Sequence, residues 1–194
     1  TLFYTNTDKH RLERYDPREG VPAVVAAGTT AGFRYPKGLC CFNDDIYIAD
    51  EENNRVRKFD PRAAAVTTFA DAEIIKIPYC LASTSNGDIL IGTRDSNLVR
   101  ATQTGDVSTL ASRRTSGIAV DVDDSIWFVD PESNVVRMEV GSDTPMKVCS
   151  LGYNANGSGL CFGDDGTLFS TANGVVALEN IGLGSSTQLT KPAR

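Results

Sequence analysis

A few short stretches of the chain carry residues whose types and spacing could do chemistry. The segment "DVDDSIWFVDPE" (121–132) places oxygen-bearing side chains at positions 1, 3, 5 and 12, the spacing of a calcium-binding loop. Its sixth residue, however, is Ile126 where that loop needs Gly, and "SIWFVD" alternates like a strand. The spacing is therefore expected to be a by-product of a repeat. A single histidine, His10, cannot build a histidine-rich metal site. Five cysteines (Cys40, Cys41, Cys80, Cys149, Cys161) are odd in number and lack CxxC spacing. They read as free thiols, with Cys40 and Cys41 a buried pair on opposite faces of one strand rather than nucleophiles. The sequence contains neither a GxSxG elbow nor a phosphate-binding loop. The expectation is no catalytic residue, no metal and no cofactor.

The composition bounds the rest. With 194 residues, 41% hydrophobic and 23% charged, the chain is that of one soluble globular domain. It has no run of the roughly 18 apolar residues that a membrane helix needs, and no membrane partner is expected. The first residues, "TLFYTNTDKH", read as a strand and not as a signal peptide, and the missing initiator Met suggests a processed or trimmed chain. A net charge of −6 and a sequence pI near 4.8 disfavour nucleic acid as partner. Free cysteines fit a reducing, cytoplasmic compartment. The "NGS" sequon at Asn156 leaves an extracellular one open.

What must position any functional residue is a repeat. The apolar strands "LFYTN" (2–6), "IYIAD" (46–50), "ILIGT" (89–93), "IWFVD" (126–130) and "LFSTA" (168–172) recur about every 40 residues, as propeller blades do. β-Branched and aromatic residues dominate and helical periodicity is missing, so each copy is a β-meander of strands a to d. In the second copy these are "GLCCF" (38–42), "DIYIAD" (45–50), "RVRKFD" (55–60) and "AVTTFA" (65–70). Turns "FNDD", "SNGD", "VDDS" and "GDDG" join a to b, and "DPR" joins c to d at 16–18 and 60–62. Asp50 and Arg57 are expected to face each other across the b–c hairpin, and Asp130 and Arg137 to repeat the pair.

The stretch "YPKGL…IYIADEENNRVRKFDP…VTTFA" resembles the NHL repeat, strongly at 36–70 and moderately at 117–149. That resemblance implies an all-β fold, a propeller of four-stranded antiparallel blades. The blades fall at 2–28 (partial, lacking strand a), 38–70, 80–111, 117–149 and 159–189, within one domain over 1–194. NHL propellers are usually six-bladed, which suggests part of a longer propeller. Other parts of a longer chain, or a second copy, would then complete it.

In a meander the a–b and c–d turns share one end of the disc, which here is acidic. The b–c and d–a loops share the other, which is mixed. That mixed face holds the candidate partner-binding residues Arg34, Tyr35, Lys37, Lys76, Tyr79, Arg113, Arg114, Tyr153 and Asn154. The reading is a non-catalytic binding or scaffold module for a protein, peptide or glycan. Two alternatives remain: a metal-dependent lyase or lactonase-like hydrolase, and single-stranded RNA held by Arg34, Lys37, Arg113 and Arg114. Strand-a residues are nearly all small or apolar, which speaks against the first, and Asp50, Glu51, Glu52, Asp95 and Glu132 speak against the second.

Overall fold

The computed structural model describes residues 1–27, 31–142, 144–152, 159–171 and 176–178, and the five predicted b strands lie among them apart from Ala172 at the end of the last. Blade 1 consists of β1 (Leu2–Asn6), β2 (Arg11–Tyr15) and β3 (Pro22–Ala27). Blade 2 has β4 (Pro36–Phe42), β5 (Asp45–Asp50), β6 (Arg55–Asp60) and β7 (Ala65–Ala70). Blade 3 has β8 (Pro78–Ser83), β9 (Ile89–Thr93), β10 (Leu98–Ala101) and β11 (Val107–Ala111). Blade 4 has β12 (Ile118–Val120), β13 (Ile126–Val129), β14 (Asn134–Met138) and β15 (Met146–Ser150). Blade 5 contributes β16 (Leu160–Phe162), β17 (Leu168–Ser170) and β18 (Val176–Leu178), and its expected strand d near 185–189 lies outside the described residues.

Every sheet is an antiparallel meander in chain order, and the fold is a β-propeller. Strand β4 lies against β8, β8 against β12, and β12 against β16, which puts the a strands at the centre. Among the described residues, the innermost strand of blade 1 is β1. The hydroxyls of its Thr5 and of Thr7 just beyond it donate to the carbonyls of Lys37 and Pro36 at 2.7 and 2.8 Å, tying it to β4.

Period-two alternation explains the packing, because both faces of an inner blade are buried. Ile46, Ile48 and Phe59 of blade 2 pack with Leu12 and Phe33 towards blade 1. The alternate residues Tyr47, Ala49 and Val56 pack with Leu81, Ile89, Ile91 and Val99 of blade 3. Leu90 and Leu98 turn the other way and meet Ile126, Phe128 and Met138 of blade 4. Trp127, Val129 and Val135 then meet Leu168 of blade 5. The "DPR" turns are Asx turns, in which the Asp16 and Asp60 carboxylates accept the N–H of Arg18 at 2.9 Å and of Arg62 at 2.8 Å.

The cross-strand charge pairs differ from expectation. Asp50 lies opposite Arg55, and Arg57 lies opposite Ile48, with its guanidinium towards Phe33 and its Nε donating to the Thr67 carbonyl at 3.1 Å. In blade 4, Arg137 lies opposite Trp127, one place out of line with Arg57. The physical reason is loop length. A 3-10 turn at Glu51–Asn53 makes the blade 2 hairpin one residue longer than the Asp130–Asn134 turn of blade 4. The true equivalents are Lys58, Arg100 and Arg137, lying opposite Tyr47, Leu90 and Trp127. Each reaches diagonally to the start of strand b: Lys58 to Asp45, the first residue of β5, at 2.5 Å, Arg100 Nε to Asp88, just before β9, at 2.6 Å, and Arg137 to Ser125, just before β13, at 2.9 Å. Such cross-strand contacts contribute about 0.2–1 kcal/mol each and fix register.

Crowding at the axis selects small residues. A Cβ on Gly38 would stand 2.8 Å from the Tyr79 carbonyl oxygen and 2.9 Å from Cys80 Cα, both backbone atoms with little room to move. Gly38→Ala is therefore expected to destabilise the fold by about 1–3 kcal/mol in urea unfolding. Unchanged stability would mean that β4 and β8 are free to separate.

Candidate functional site

The b–c and d–a loops converge on a cavity of about 360 Å³ at the mouth of the central channel. Thr5, Thr7, Lys37, Tyr79, Cys80 and Ser116 line it, with Gly38, Gly117 and Gly159 where the a strands begin. The local backbone is held by one carboxylate. Asp50, fully buried at the end of β5, accepts the Arg34 N–H at 2.6 Å, Asn53 Nδ2 at 2.8 Å and Arg55 Nε at 2.9 Å. It thereby joins the b–c loop of blade 2 to the d–a loop that precedes the same blade. The 3-10 turn Glu51–Asn53 then aims Glu51 inward, nearly buried, with Lys37 Nζ at 3.6 Å and Arg94 Nε at 3.4 Å. Arg94 lies 4.3 Å over the Tyr79 ring.

Lys37 and Tyr79 are thus brought together at the cavity, linked through Glu51 and Arg94. Arg34 and Tyr35 stand on the rim, with Arg34 paired to Glu52 at 2.6 Å. Lys76 sits in the matching place on the next blade and reaches Asp95 at 4.0 Å. Arg113 and Arg114 follow on the third, exposed and without an ion-pair partner among the described residues, and outside the cavity lining. Tyr153 and Asn154 lie outside the described residues.

Two rim residues have unusual backbones. Tyr35 (φ 51) and Ile77 (φ 50) are left-handed although neither is Gly, and each precedes a proline, Pro36 and Pro78. A β-branched residue in that region is an outlier. Both side chains are nonetheless exposed, at 38% and 43%. Each N–H is held by a side chain of the preceding b–c loop, Tyr35 by His10 Nδ1 at 3.0 Å and Ile77 by Asn54 Oδ1 at 2.8 Å.

The residues missed by sequence reasoning are Glu51, Arg94, His10, Thr5, Thr7 and Ser116. A usable signal existed for the first two. Glu51 and Arg94 hold the same position in consecutive blades, directly after Asp50 and Thr93, and carry opposite charge.

The thiols also differ from expectation. Cys41 is exposed, on the same face of β4 as Leu39. Cys40 faces blade 3, and burial raises its thiol pKa, the neighbouring Cys41 adding to the effect. Burial pushes the Cys80 thiol up to about 12, against the hydrogen bond it shares with Thr115. Neither is a thiolate near neutral pH.

Comparison with known proteins supports the fold. The NHL repeat model matches residues 33–59, the copy with the clearest motif, so the chain carries an NHL repeat. Protein SUPPRESSOR OF QUENCHING 1, chloroplastic, of Arabidopsis thaliana is 28% identical over 102 residues, covering 46% of this chain and 9% of that protein. Virginiamycin B lyase from Staphylococcus aureus superposes with a TM-score of 0.74 at 16% identity, over 97% of this chain and 65% of the lyase chain. A chain of a nidogen–laminin complex gives 0.80 at 12% identity, over 98% of this chain and 75% of that one. The chain therefore spans under two thirds of the lyase and a small part of the plant protein. At these identities the solved structures share the propeller fold alone. No helix among the described residues is long and apolar enough to cross a membrane.

Two outcomes test this geometry. Asp50→Ala removes three hydrogen bonds to a buried carboxylate and should cost at least about 2 kcal/mol in unfolding free energy. A smaller loss would mean that the two loops are held by other contacts. With a thiol reagent at pH 8, the exposed Cys41 and Cys161 should label first, and Cys40 and Cys80 only on unfolding. Early labelling of Cys80 would contradict its burial.

Proposed function

We propose that this chain is a non-catalytic binding module whose b–c and d–a loop face takes an extended peptide of a protein partner across the channel mouth. The observation that carries this reading is the pair Tyr35 and Ile77, exposed apolar side chains held in a costly backbone conformation. Left-handed backbone costs roughly 1–2 kcal/mol per non-glycine residue, and such outliers cluster at functional sites. The pair belongs to a row repeated on three blades, Arg34–Tyr35, Lys76–Ile77 and Arg113–Arg114. A peptide with apolar residues towards blades 2 and 3 and an acidic residue towards blade 4 would complement it. Exposed Tyr and Ile favour a peptide over a glycan. Glu52 and Asp95, paired with Arg34 and Lys76, disfavour a nucleic-acid backbone.

A second reading, a lyase-like enzyme, is supported by the shared fold and by a cavity in the usual size range of small-molecule sites. Its acid–base inventory is thin, since Glu51 is committed to Lys37 and Arg94 and the Cys80 thiol is pushed up.

Glycine at both rim positions separates presentation from stability. In the Tyr35→Gly/Ile77→Gly protein the left-handed penalty disappears, so Tm should hold or rise. Peptides selected on the wild-type protein from a random library should lose at least tenfold in affinity, read by calorimetry. Equal binding to both proteins would remove the rim from the site.

A further inference from the structure

The two rim loops are held by the same bond from different residues. Asn54 Oδ1 accepts the Ile77 N–H at 2.8 Å, and His10 Nδ1 accepts the Tyr35 N–H at 3.0 Å. The positions correspond throughout. His10 (φ 51) and Asn54 (φ 52) both close a b–c loop, and Tyr35 and Ile77 both precede a proline. Asn Oδ1 and His Nδ1 stand equally far from Cα, so either can reach the adjoining loop. The ring of His10 also meets the Tyr35 ring edge-on, with centroids 4.6 Å apart.

The two acceptors differ in one respect. An amide oxygen accepts at any ordinary pH, whereas an imidazole Nδ1 accepts only while the ring is neutral with its proton on Nε2. We infer that His10 is a pH-sensitive positioning residue, latching the loop before β4 to the channel mouth when neutral and releasing it when protonated. The Asn54 latch of the neighbouring blade stays closed throughout. The latch is therefore present while the ring is neutral and is lost once the ring takes up a second proton. On protonation two donors, Nδ1–H and the Tyr35 N–H, are set against each other.

The surrounding charges do not replace the lost bond. On the hairpin of His10 stand Asp8, Lys9, Arg11 and Glu13; on the facing loop stand Arg34 and Lys37. Arg11 is held by Glu13, Arg34 by Glu52 and Lys37 by Glu51. Asp8 is exposed, where its attraction for an imidazolium is screened. Once released, Tyr35 is free to leave its left-handed conformation and withdraw its ring from the rim. That last consequence rests on the peptide-binding reading; the latch does not.

The test is amide hydrogen exchange of Tyr35 and Ile77 by NMR on the full chain between pH 7.5 and 5.5, each rate divided by the intrinsic rate at that pH. Protection of Tyr35 should fall in proportion to the fraction of His10 that stays neutral, that fraction being read from the ring's own carbon chemical shifts in the same spectra. Ile77 should stay flat, and in H10N, where an amide oxygen replaces Nδ1, both should stay flat. Flat Tyr35 protection in the wild type, or a parallel fall at Ile77, would overturn the latch. Ile77 serves as internal control within the wild-type chain should H10N fold poorly. A latch that opens while selected peptides bind unchanged would keep the switch and overturn the placement of Tyr35 in the peptide site.

Discussion

A small β-meander with both faces apolar cannot stand alone, and this constraint governs the molecule. Each inner blade must find a neighbour on either side, so alternate residues of one strand serve two different interfaces. Ile46 and Ile48 belong to the contact with blade 1, whereas Tyr47 and Ala49, interleaved with them, belong to the contact with blade 3. A one-residue slip would exchange the two sets. The diagonal contacts of Lys58, Arg100 and Arg137 act at this level, because they mark the register at the edge of each hairpin.

Once blades are stacked, equivalent positions of successive copies become neighbours in space. Differences between copies then matter more than what they share. Glu51 and Arg94 are the same position in adjacent blades and meet as an ion pair at the channel mouth. Thr5 and Thr7 of blade 1 donate to the carbonyls of β4, a contact that the later blades make with other residues. His10 and Asn54 make the same contact with different acid–base behaviour. The repeat supplies the frame, and its variation makes the two rims of the mouth unlike.

The frame was legible in the sequence because alternation, turn residues and period are local properties. The b strands lie where "LFYTN", "IYIAD" and "ILIGT" place them. What failed was the pairing of Asp50 with Arg57. Asp130 and Arg137 stand as far apart in the chain as Asp50 and Arg57, but the 3-10 turn at Glu51–Asn53 adds a residue that has no counterpart after Asp130. A backbone turn of that kind leaves little trace in residue types. The site was legible in part. Arg34, Lys37, Lys76 and Tyr79 do gather on one face, but the buried Glu51 that organises two of these four through its contacts with Lys37 and Arg94 looked like one more surface acid. Whether a carboxylate is exposed or committed depends on what the next blade brings opposite it.

The rim shows where local preference and structure conflict. Sequence rules disfavour Tyr35 and Ile77 twice over, since neither is Gly and each precedes a proline, which pushes its neighbour towards extended backbone. A single hydrogen bond, worth about 1 kcal/mol net, barely offsets such a conformation. It persists because several constraints agree. The acceptor on the preceding hairpin, the Arg94 N–H donating to the Ile77 carbonyl, and the Asp50 carboxylate on the Arg34 N–H fix the chain on both sides. Over-determination of that kind would be wasted on side chains that merely covered the core. Here Tyr35 and Ile77 point out into water, and removing their side chains would relieve the conflict. That the chain instead carries large apolar groups at both positions is what marks this rim as a surface made to be covered.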